Sequence, residues 1–376
     1  MPFKSFKIGK YTIEKPIIQG GMGVGISWDQ LAGNVSKEGG LGVISAVGTG
    51  VYKNRKFLHD KEMVGKEHRP YEAINFYSYP ALKKIFENAR KICGDKPLAA
   101  NVLYAQSEYN RVVQDACKAG ANIIITGAGL PLTMPEATKD YPDVALVPIV
   151  STAKALRILC RRWKKTHDRL PDAIIVEGPL SGGHQGFKYE ECFMPENQLE
   201  AILPPVVEEA KNWGSMPVIA AGGIWDHDDI VRMMELGADA VQMGTRFIGT
   251  VECDTSQVMK DIILHAKKED IKLFKSPVGY PARGVKTQLH EDIEKGTAPK
   301  VACISNCVAP CHRGEEAKIV GYCIADRLTD AYDGIKETGL FFTGANGYRL
   351  TEIITVKELM DKLMYGEDYK DHANNE

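Results

Sequence analysis

The sequence lacks the features that mark membrane-spanning, exported and nucleic-acid-binding proteins. No stretch reaches the roughly 18 consecutive apolar residues of a membrane span, and the opening MPFKSFK has no apolar run typical of a signal peptide. The formal net charge is only −2, so we expect no nucleic-acid partner and no membrane partner. The nine cysteines are therefore expected to be reduced thiols of a cytoplasmic protein, unless some bind metal.

The composition is that of a globular protein with a large core. Hydrophobic residues make up 44% and charged residues 26% of the 376 residues. This length exceeds one compact core of about 150 residues and suits one barrel with an appendage.

Short runs rich in Val, Ile and Ala recur along the first 250 residues, and they are apolar almost throughout instead of alternating. This pattern is typical of parallel strands that are covered on both faces. The eight runs are Pro16–Gln19, Leu41–Ser45, Leu98–Leu103, Asn122–Gly127, Ala145–Ser151, Ala173–Glu177, Pro217–Ala221 and Ala240–Met243.

Amphipathic segments of helical length separate these runs. Four of them are Ser107–Ala119, Thr152–Lys165, Gln198–Trp213 and Asp228–Leu236. Eight strand–helix units predict a (β/α)₈ TIM barrel, and polar or Gly-rich turns after nearly every strand favour it over a doubly wound sheet.

Two regions break the regular alternation. Residues 47–80 indicate an inserted loop or helix beside the barrel mouth, which we interpret as a lid. Residues 1–295 are predicted to form the barrel domain, and residues 296–376 a cysteine-containing C-terminal extension that packs on it. Helical spacing in the tail predicts helices at Glu315–Tyr332 and Thr355–Met364.

Two glycine-containing turns follow the seventh and eighth strands. The turn AAGGI contains Gly222 and Gly223, and the turn QMGTR contains Gly244 and Thr245. In a barrel, the loops after these two strands commonly bind phosphate through backbone N–H groups and a short helix N-terminus. Tight turns that need glycine only for its positive φ are the alternative.

A histidine among glycines follows the sixth strand. In the segment SGGHQGF, Gly182 and Gly183 precede His184. Small neighbours leave the imidazole accessible to a bound planar group, and histidine suits proton transfer near neutral pH. We therefore predict that His184 is catalytic or binds substrate; an ordinary surface histidine is the alternative.

A third glycine-rich loop follows the first strand. Backbone amides at Gly20 and Gly21 can hold the edge of a flavin ring, and Met22 would be its soft apolar neighbour. Later strands end in polar residues that are either inward-facing site groups or ordinary barrel hydrogen-bonding groups. They are Asn101, Thr126, Ser151 and Gln242.

Seven segments together resemble the nitronate monooxygenase (2-nitropropane dioxygenase) family, which also contains the flavin-dependent enoyl-acyl-carrier-protein reductases. They are Ile17–Met22, Gly39–Ile44, Asn101–Val102, Gly127–Gly129, Glu177–Gly186, Ala220–Ile224 and Gln242–Phe247. They span roughly residues 10–290 in the family's order, so the likeness does not depend on one motif.

The resemblance implies an FMN-binding barrel whose catalytic histidine is His184. It implies a set of residues around the phosphate, the ribityl chain and the ring: Gly222, Gly223, Gly244 and Thr245 for the phosphate, and Gly20, Gly21, Met22, Asn101 and Gln242 for the rest. We add Thr126, Gly182 and Gly183 from their strand-end positions.

The resemblance favours the first of three functions and leaves the other two as alternatives. The first is oxidation of alkyl nitronates or nitroalkanes with O₂, with His184 as base or anion-binding group. The second is reduction of an enoyl thioester with NAD(P)H. The segment Val278–Val285 resembles the segment that follows the barrel in the reductases. The third is a non-catalytic flavin-binding protein. Family members often self-associate, so a homodimer is also expected.

The tail holds four cysteines within 21 residues, at positions 303, 307, 311 and 323. Four thiols could bind zinc or an iron–sulfur cluster. The Cys-x₃-Cys-x₃-Cys spacing matches neither the usual zinc pair nor a ferredoxin run, and it also suits small buried residues on one helix face. We therefore predict no metal site, with Cys303, Cys307, Cys311 and Cys323 as the candidates if one exists; a redox or disulfide role is the third alternative.

Overall fold

The computed structural model describes residues 3–51, 70–301, 303 and 307–367. The strands are β1 Phe6–Ile8, β2 Tyr11–Ile13, β3 Ile17–Gln19, β4 Gly42–Ser45, β5 Leu98–Leu103, β6 Ile123–Gly127, β7 Ala145–Val150, β8 Ile174–Glu177, β9 Gly183–His184, β10 Val218–Ala221, β11 Ala240–Met243, β12 Ile271–Phe274 and β13 Ala282–Val285. The helices are α1 Asp29–Lys37, α2 Pro70–Cys93, α3 Tyr109–Ala119, α4 Met134–Ala137, α5 Ala153–His167, α6 Leu199–Lys211, α7 His227–Glu235, α8 Thr245–Ile248, α9 Gln257–Leu264, α10 Gln288–Lys295, α11 Glu315–Val320, α12 Ile324–Tyr332 and α13 Val356–Tyr365.

Eight strands form one parallel sheet in the order β3-β11-β10-β8-β7-β6-β5-β4. A parallel bridge between Ile18 and Leu41 joins the two ends of this sheet. The eight predicted strands and the TIM barrel are therefore confirmed.

Side chains on the barrel strands alternate between two apolar cores. On β6, Ile123 and Ile125 lie in the barrel interior, whereas Ile124 packs beneath the surrounding helices. The β1–β2 hairpin closes the amino end, because Ile8 and Ile13 join the interior core. The carboxyl ends of the strands remain as the face where a barrel carries its site.

The barrel helices begin and end within two residues of the predicted limits, but the predicted tail helix Glu315–Tyr332 is wrong as one element. It is divided into α11 and α12 at Gly321, whose φ is +94°. The Gly321 N–H donates to the Ala317 carbonyl at 2.8 Å, which ends α11 in a left-handed residue that continues no helix.

The predicted insertion at residues 47–80 is described only at its two ends. Residues 49–51 form a short 3₁₀ turn, and α2 extends past residue 80 to Cys93. The Thr49 hydroxyl donates to the Ser78 carbonyl at 3.3 Å. The lid interpretation falls mainly on residues 52–69, which lie outside the described residues.

The chain after the barrel returns to its surface. Strands β12 and β13 form an antiparallel sheet with β9, and α13 packs on α1 and α7 with Leu359 and Met360 fully buried. The proposed division between residues 295 and 296 stays a prediction. Among the described residues, none of the helices is both long and apolar enough to cross a membrane.

Candidate active site

A cavity of about 1040 Å³ opens at the carboxyl ends of the barrel strands. It brings together twelve of the thirteen residues predicted for the site: Gly20, Gly21, Met22, Asn101, Gly182, Gly183, His184, Gly222, Gly223, Gln242, Gly244 and Thr245. These residues lie in the carboxyl-terminal parts of five different barrel strands or in the segments that follow them, so the barrel closure is what makes them neighbours.

Thr126 is the predicted site residue that does not line this cavity. It lies two residues after Ile124 on β6 and therefore shares its outward direction. Its hydroxyl is fully buried and lies 3.2 Å from the Tyr109 hydroxyl of α3. Thr126 therefore lies near the end of its strand, as predicted, but on the outer face of the barrel and not on the inner face.

His184 lies in a short strand, β9, that the tail holds in place. Its backbone pairs with Ala282 of β13, its ring packs edge-on against Phe342 at 5.5 Å between centroids, and its Nε2 lies 2.7 Å from the Ser276 hydroxyl. Burial lowers the pKa of His184 to about 4, because an imidazolium loses hydration there. The ring is therefore neutral at pH 7.

The Ser276 hydroxyl belongs to a buried polar chain. Tyr322 donates its hydroxyl hydrogen to the Lys275 carbonyl at 2.9 Å, and Ser276 also interacts with the Tyr322 hydroxyl. Ser276 and Tyr322 are 6% and 3% exposed, so water does not compete strongly for this chain. Neither residue was predicted, because both follow the last barrel strand, which ends at Met243, and no strand-end motif marks them.

The loop that carries His184 is fixed by buried donors. The Arg283 guanidinium donates to the carbonyls of Pro179 and Ser181, and the Gln185 amide donates to Ser181 and Gly183 at 2.9 Å each. Backbone carbonyls in a buried loop need such partners, so the loop holds one conformation.

Glu177 is a second titratable group in the cavity, and the site prediction missed it. It ends β8 with the same inward direction as Ile175. Burial raises the pKa of Glu177 to about 7, since the charged carboxylate loses hydration. The sequence does mark Glu177, because it is a single acidic residue at the end of a strand of Ile and Val.

The first glycine-rich loop lies directly on the polar strand ends. A Cβ at Gly21 would stand 2.3 Å from the Asn101 Cβ, and a Cβ at Gly20 would stand 3.2 Å from the Gln242 Cγ. Only glycine lets the backbone come this close. The loop amides are thereby held at the edge of the cavity.

The tail contributes more of the cavity wall than the sequence suggested. Residues 307–310, 324–330 and 342–346 all include lining positions. Cys307 is one of them, and its carbonyl accepts the Ser107 N–H at 3.2 Å. Long-range contacts of this kind have no local sequence signal.

The candidate metal-ligating cysteines do not converge on one point. Over the part of the chain that the structure describes, His, Cys, Asp and Glu side chains form no group of three or more that could hold a metal ion. Cys303 is exposed, and Cys307, Cys311 and Cys323 are partly exposed.

Comparison with known proteins agrees with this arrangement. The sequence model of the family described as nitronate monooxygenase matches residues 4–366. A probable nitronate monooxygenase of Staphylococcus aureus strain Newman is 27% identical over 300 residues, which cover 76% of this chain and 79% of that relative.

Solved structures show the same fold. FabK from Thermotoga maritima has a TM-score of 0.68 and 25% identity, covering 96% of this chain and 94% of that one. A nitroalkane oxidase from Streptomyces ansochromogenes has a TM-score of 0.64 and 20% identity, covering 95% and 97%. Because the family match spans nearly the whole sequence, the chain belongs to the nitronate monooxygenase family, whose enzymes are flavin-dependent oxidoreductases.

Proposed function

We propose that this enzyme is an FMN-dependent nitronate monooxygenase that oxidises alkyl nitronates or nitroalkanes with O₂. The observation that carries the proposal is a neutral, half-buried His184 at the wall of a glycine-lined cavity in a chain of this family. Histidine with one ring nitrogen held by Ser276 has the other nitrogen available to a substrate.

The cavity fits a flavin in its size and its polar groups. Its volume of about 1040 Å³ lies just above the range of about 300–1,000 Å³ that is typical of small-molecule sites. The Gln242 Oε1 is buried and has no hydrogen-bond partner within the described structure. An acceptor in this state costs free energy unless a ligand donates to it, and the ring N–H of a flavin is such a donor.

We assign the residues of the cavity to two ends of FMN. Gly20, Gly21, Met22, Asn101 and Gln242 would hold the ring and ribityl chain, with Gly182 and Gly183 beside them. Gly222, Gly223, Gly244 and Thr245 would hold the phosphate. Thr126 is left out, because its hydroxyl points to α3. Bound FMN would supply the electron-transfer chemistry.

The polar contacts of His184 allow it to act as a base. Its Nε2 lies 2.7 Å from the Ser276 hydroxyl oxygen, which also accepts the Val278 N–H at 3.4 Å. When Ser276 accepts the hydrogen of Nε2 as well, Nδ1 is unprotonated and can take a proton from the carbon beside a nitro group.

An anion-binding role for His184 is the weaker alternative. Binding of a nitronate by charge needs an imidazolium, and a pKa of about 4 keeps the ring neutral at pH 7. A bound anion would raise this pKa, so the two roles differ in the pH dependence of nitronate binding.

Enoyl-thioester reduction with NAD(P)H is the second candidate function. The cavity continues past the barrel to the tail wall at residues 307–310 and 324–330, and it offers more room than a small nitroalkane needs. The likeness to FabK covers nearly both chains.

A substrate panel on the FMN-loaded protein separates the candidates. Oxygen uptake with propionate 3-nitronate or 2-nitropropane is the expected result. NADH-dependent loss of crotonyl-thioester absorbance without oxygen uptake would support the reductase instead. A yellow protein that turns over neither substrate would be the non-catalytic flavin binder.

A further inference from the structure

A segment near the C-terminus, Thr343–Asn346, reaches back over the barrel mouth. Thr343, Gly344 and Asn346 line the same cavity as the turns after β10 and β11. Nothing in the strand–helix pattern of the sequence placed this segment there, since about 100 residues separate it from those turns.

Three hydrogen bonds fasten the segment to the loops around the cavity. The Gly344 N–H donates to the Thr245 Oγ1 at 2.8 Å, and the Asn346 side-chain amide donates to the Gly223 carbonyl at 2.5 Å. The Ala345 N–H donates to the Leu180 carbonyl at 3.0 Å. The segment thus contacts both proposed phosphate turns and the loop that carries His184.

The backbones meet so closely that side chains are excluded. A Cβ at Gly182 would stand 2.7 Å from the Thr343 carbonyl carbon, and a Cβ at Gly344 would stand 3.1 Å from the Thr245 Oγ1. Contacts this close leave little freedom to either partner. The segment is therefore a closely packed part of the cavity wall and not a loose surface loop.

These hydrogen bonds leave uncharged N–H and O–H donors available to a bound anion. Because the Thr245 oxygen accepts from Gly344, its hydroxyl hydrogen is free to donate into the cavity. The Asn346 bond fixes Gly223, which with Gly222 has a φ of +90° to +96°. The Thr343 Oγ1 is buried against Gly347 and has no hydrogen-bond partner within the described structure.

Charge at this end of the cavity is low. Among the described lining residues, Arg327 is the one Lys or Arg, and it is ion-paired with Asp330 at 3.0 Å. A phosphate here would be held by N–H and O–H donors. A new carboxylate beside it would repel the phosphate, and the cations Arg246 and Arg349, which stack on Trp225, do not line the cavity.

We propose that Thr343–Asn346 completes the phosphate end of the cofactor cavity, with Asn346 as the residue that positions the Gly222–Gly223 turn. The inference rests on the proposed FMN binding and extends it to a part of the chain outside the barrel.

The inference is tested by comparing how the Asn346→Asp variant binds FMN and riboflavin. Riboflavin has the ring and ribityl chain of FMN but no phosphate. Dissociation constants of both are measured by quenching of flavin fluorescence. We expect Asn346→Asp to weaken FMN binding by about tenfold or more, from like-charge repulsion, and riboflavin binding less than about threefold. Asn346→Ala, which removes the bond without adding charge, should weaken FMN binding less than Asn346→Asp.

Asn212→Asp is the matched control, because Asn212 is exposed at the end of α6 and gains the same charge far from the cavity. It should leave both constants unchanged. If Asn346→Asp weakens FMN binding and riboflavin binding equally, or weakens neither, this inference is wrong, but the proposal that the protein binds FMN is unaffected. If the wild-type protein binds neither flavin, the proposed function fails and this inference with it.

Discussion

His184 and Glu177 share one cavity, and burial moves their pKa values in opposite directions. The pKa of His184 falls to about 4 and that of Glu177 rises to about 7, because burial disfavours whichever form is charged. At pH 7 the imidazole is thus neutral, and the carboxyl is divided between its two forms. Such divergence within one pocket is typical of functional groups.

Glu177 gives a prediction about stability and pH. Its pKa rises on folding from 4.5 to about 7, so the folded protein binds this proton more tightly. Stability is therefore lost as the pH rises from about 4.5 to 7, and the loss is complete above 7. Glu177→Gln removes this effect, and its melting temperature should exceed that of the wild type by about 2 °C or more at pH 8, with a smaller difference at pH 4.5.

Exposed Glu235 supplies the control for this comparison. Thermal unfolding of Glu235→Gln should follow the wild type at both pH values. A Glu177→Gln protein whose melting temperature shifts equally at pH 4.5 and pH 8 would show that the pKa of Glu177 is not raised.

Ser276 is predicted to position His184, and its substitution is predicted not to change flavin binding. Loss of the 2.7 Å bond in Ser276→Ala should lower kcat by up to about tenfold, because one hydrogen bond contributes roughly 0.5–1.5 kcal/mol. Ser276→Thr keeps the hydroxyl and should restore most of kcat. Equal kcat values for Ser276→Ala and wild type in steady-state assays would refute the positioning role.

Among elements, the barrel strands were the most predictable part of the fold. Continuous apolar runs such as Ile174–Val176 are buried on both faces and leave no helical alternative of that length. The limits of α11 and α12 were not predicted, because helical spacing continues across residues 321–323, where Gly321 has a positive φ and Cys323 is extended. The inward or outward direction of Thr126 depended on a strand register that the apolar run does not show.

The start of α1 depends on a residue from after the barrel. The Asp254 carboxylate accepts the N–H groups of Trp28, Gln30 and Leu31 at 2.8–3.1 Å, and burial raises its pKa to about 6. Asp254→Ala leaves these donors without a partner, so it should lower the free energy of unfolding by about 1–3 kcal/mol.

Chemical denaturation measures this loss, with exposed Asp140 mutated to Ala for comparison. Asp140→Ala should stay within about 0.5 kcal/mol of wild type. The capping role of Asp254 would be refuted if both variants unfolded at the same denaturant concentration.

For the whole molecule, the sequence predicted the barrel and most of the cavity, and it did not predict the tail wall. Motifs at strand ends converge because barrel closure is a general rule. The bond between Asn346 and Gly223 joins positions 123 residues apart, and no periodicity or turn chemistry marks such a pair. The cytoplasmic location and the homodimer stay predictions.

The nine thiols give a further prediction for the whole molecule. Cys303 is exposed, three other tail cysteines are partly exposed, and the remaining five are buried. Titration of the native protein with a thiol reagent should show the four tail thiols before the other five, which react only after unfolding. Within the tail, Cys311 and Cys323 should react more slowly, because burial raises the pKa of Cys311 and raises that of Cys323 to about 12. Elemental analysis should find no stoichiometric zinc or iron. One equivalent of either metal, together with loss of the reaction of all four tail thiols, would restore a metal site.

The most direct test of the central claim is oxygen consumption by FMN-loaded wild-type and His184→Ala proteins given an alkyl nitroalkane, with exposed His265→Ala as the control. We predict that the His184 variant keeps its bound flavin and its visible spectrum, while its turnover falls by about 10²–10⁴-fold and the His265 variant matches wild type. Unchanged turnover in flavin-loaded His184→Ala would contradict the assignment of His184 as the centre of the reaction.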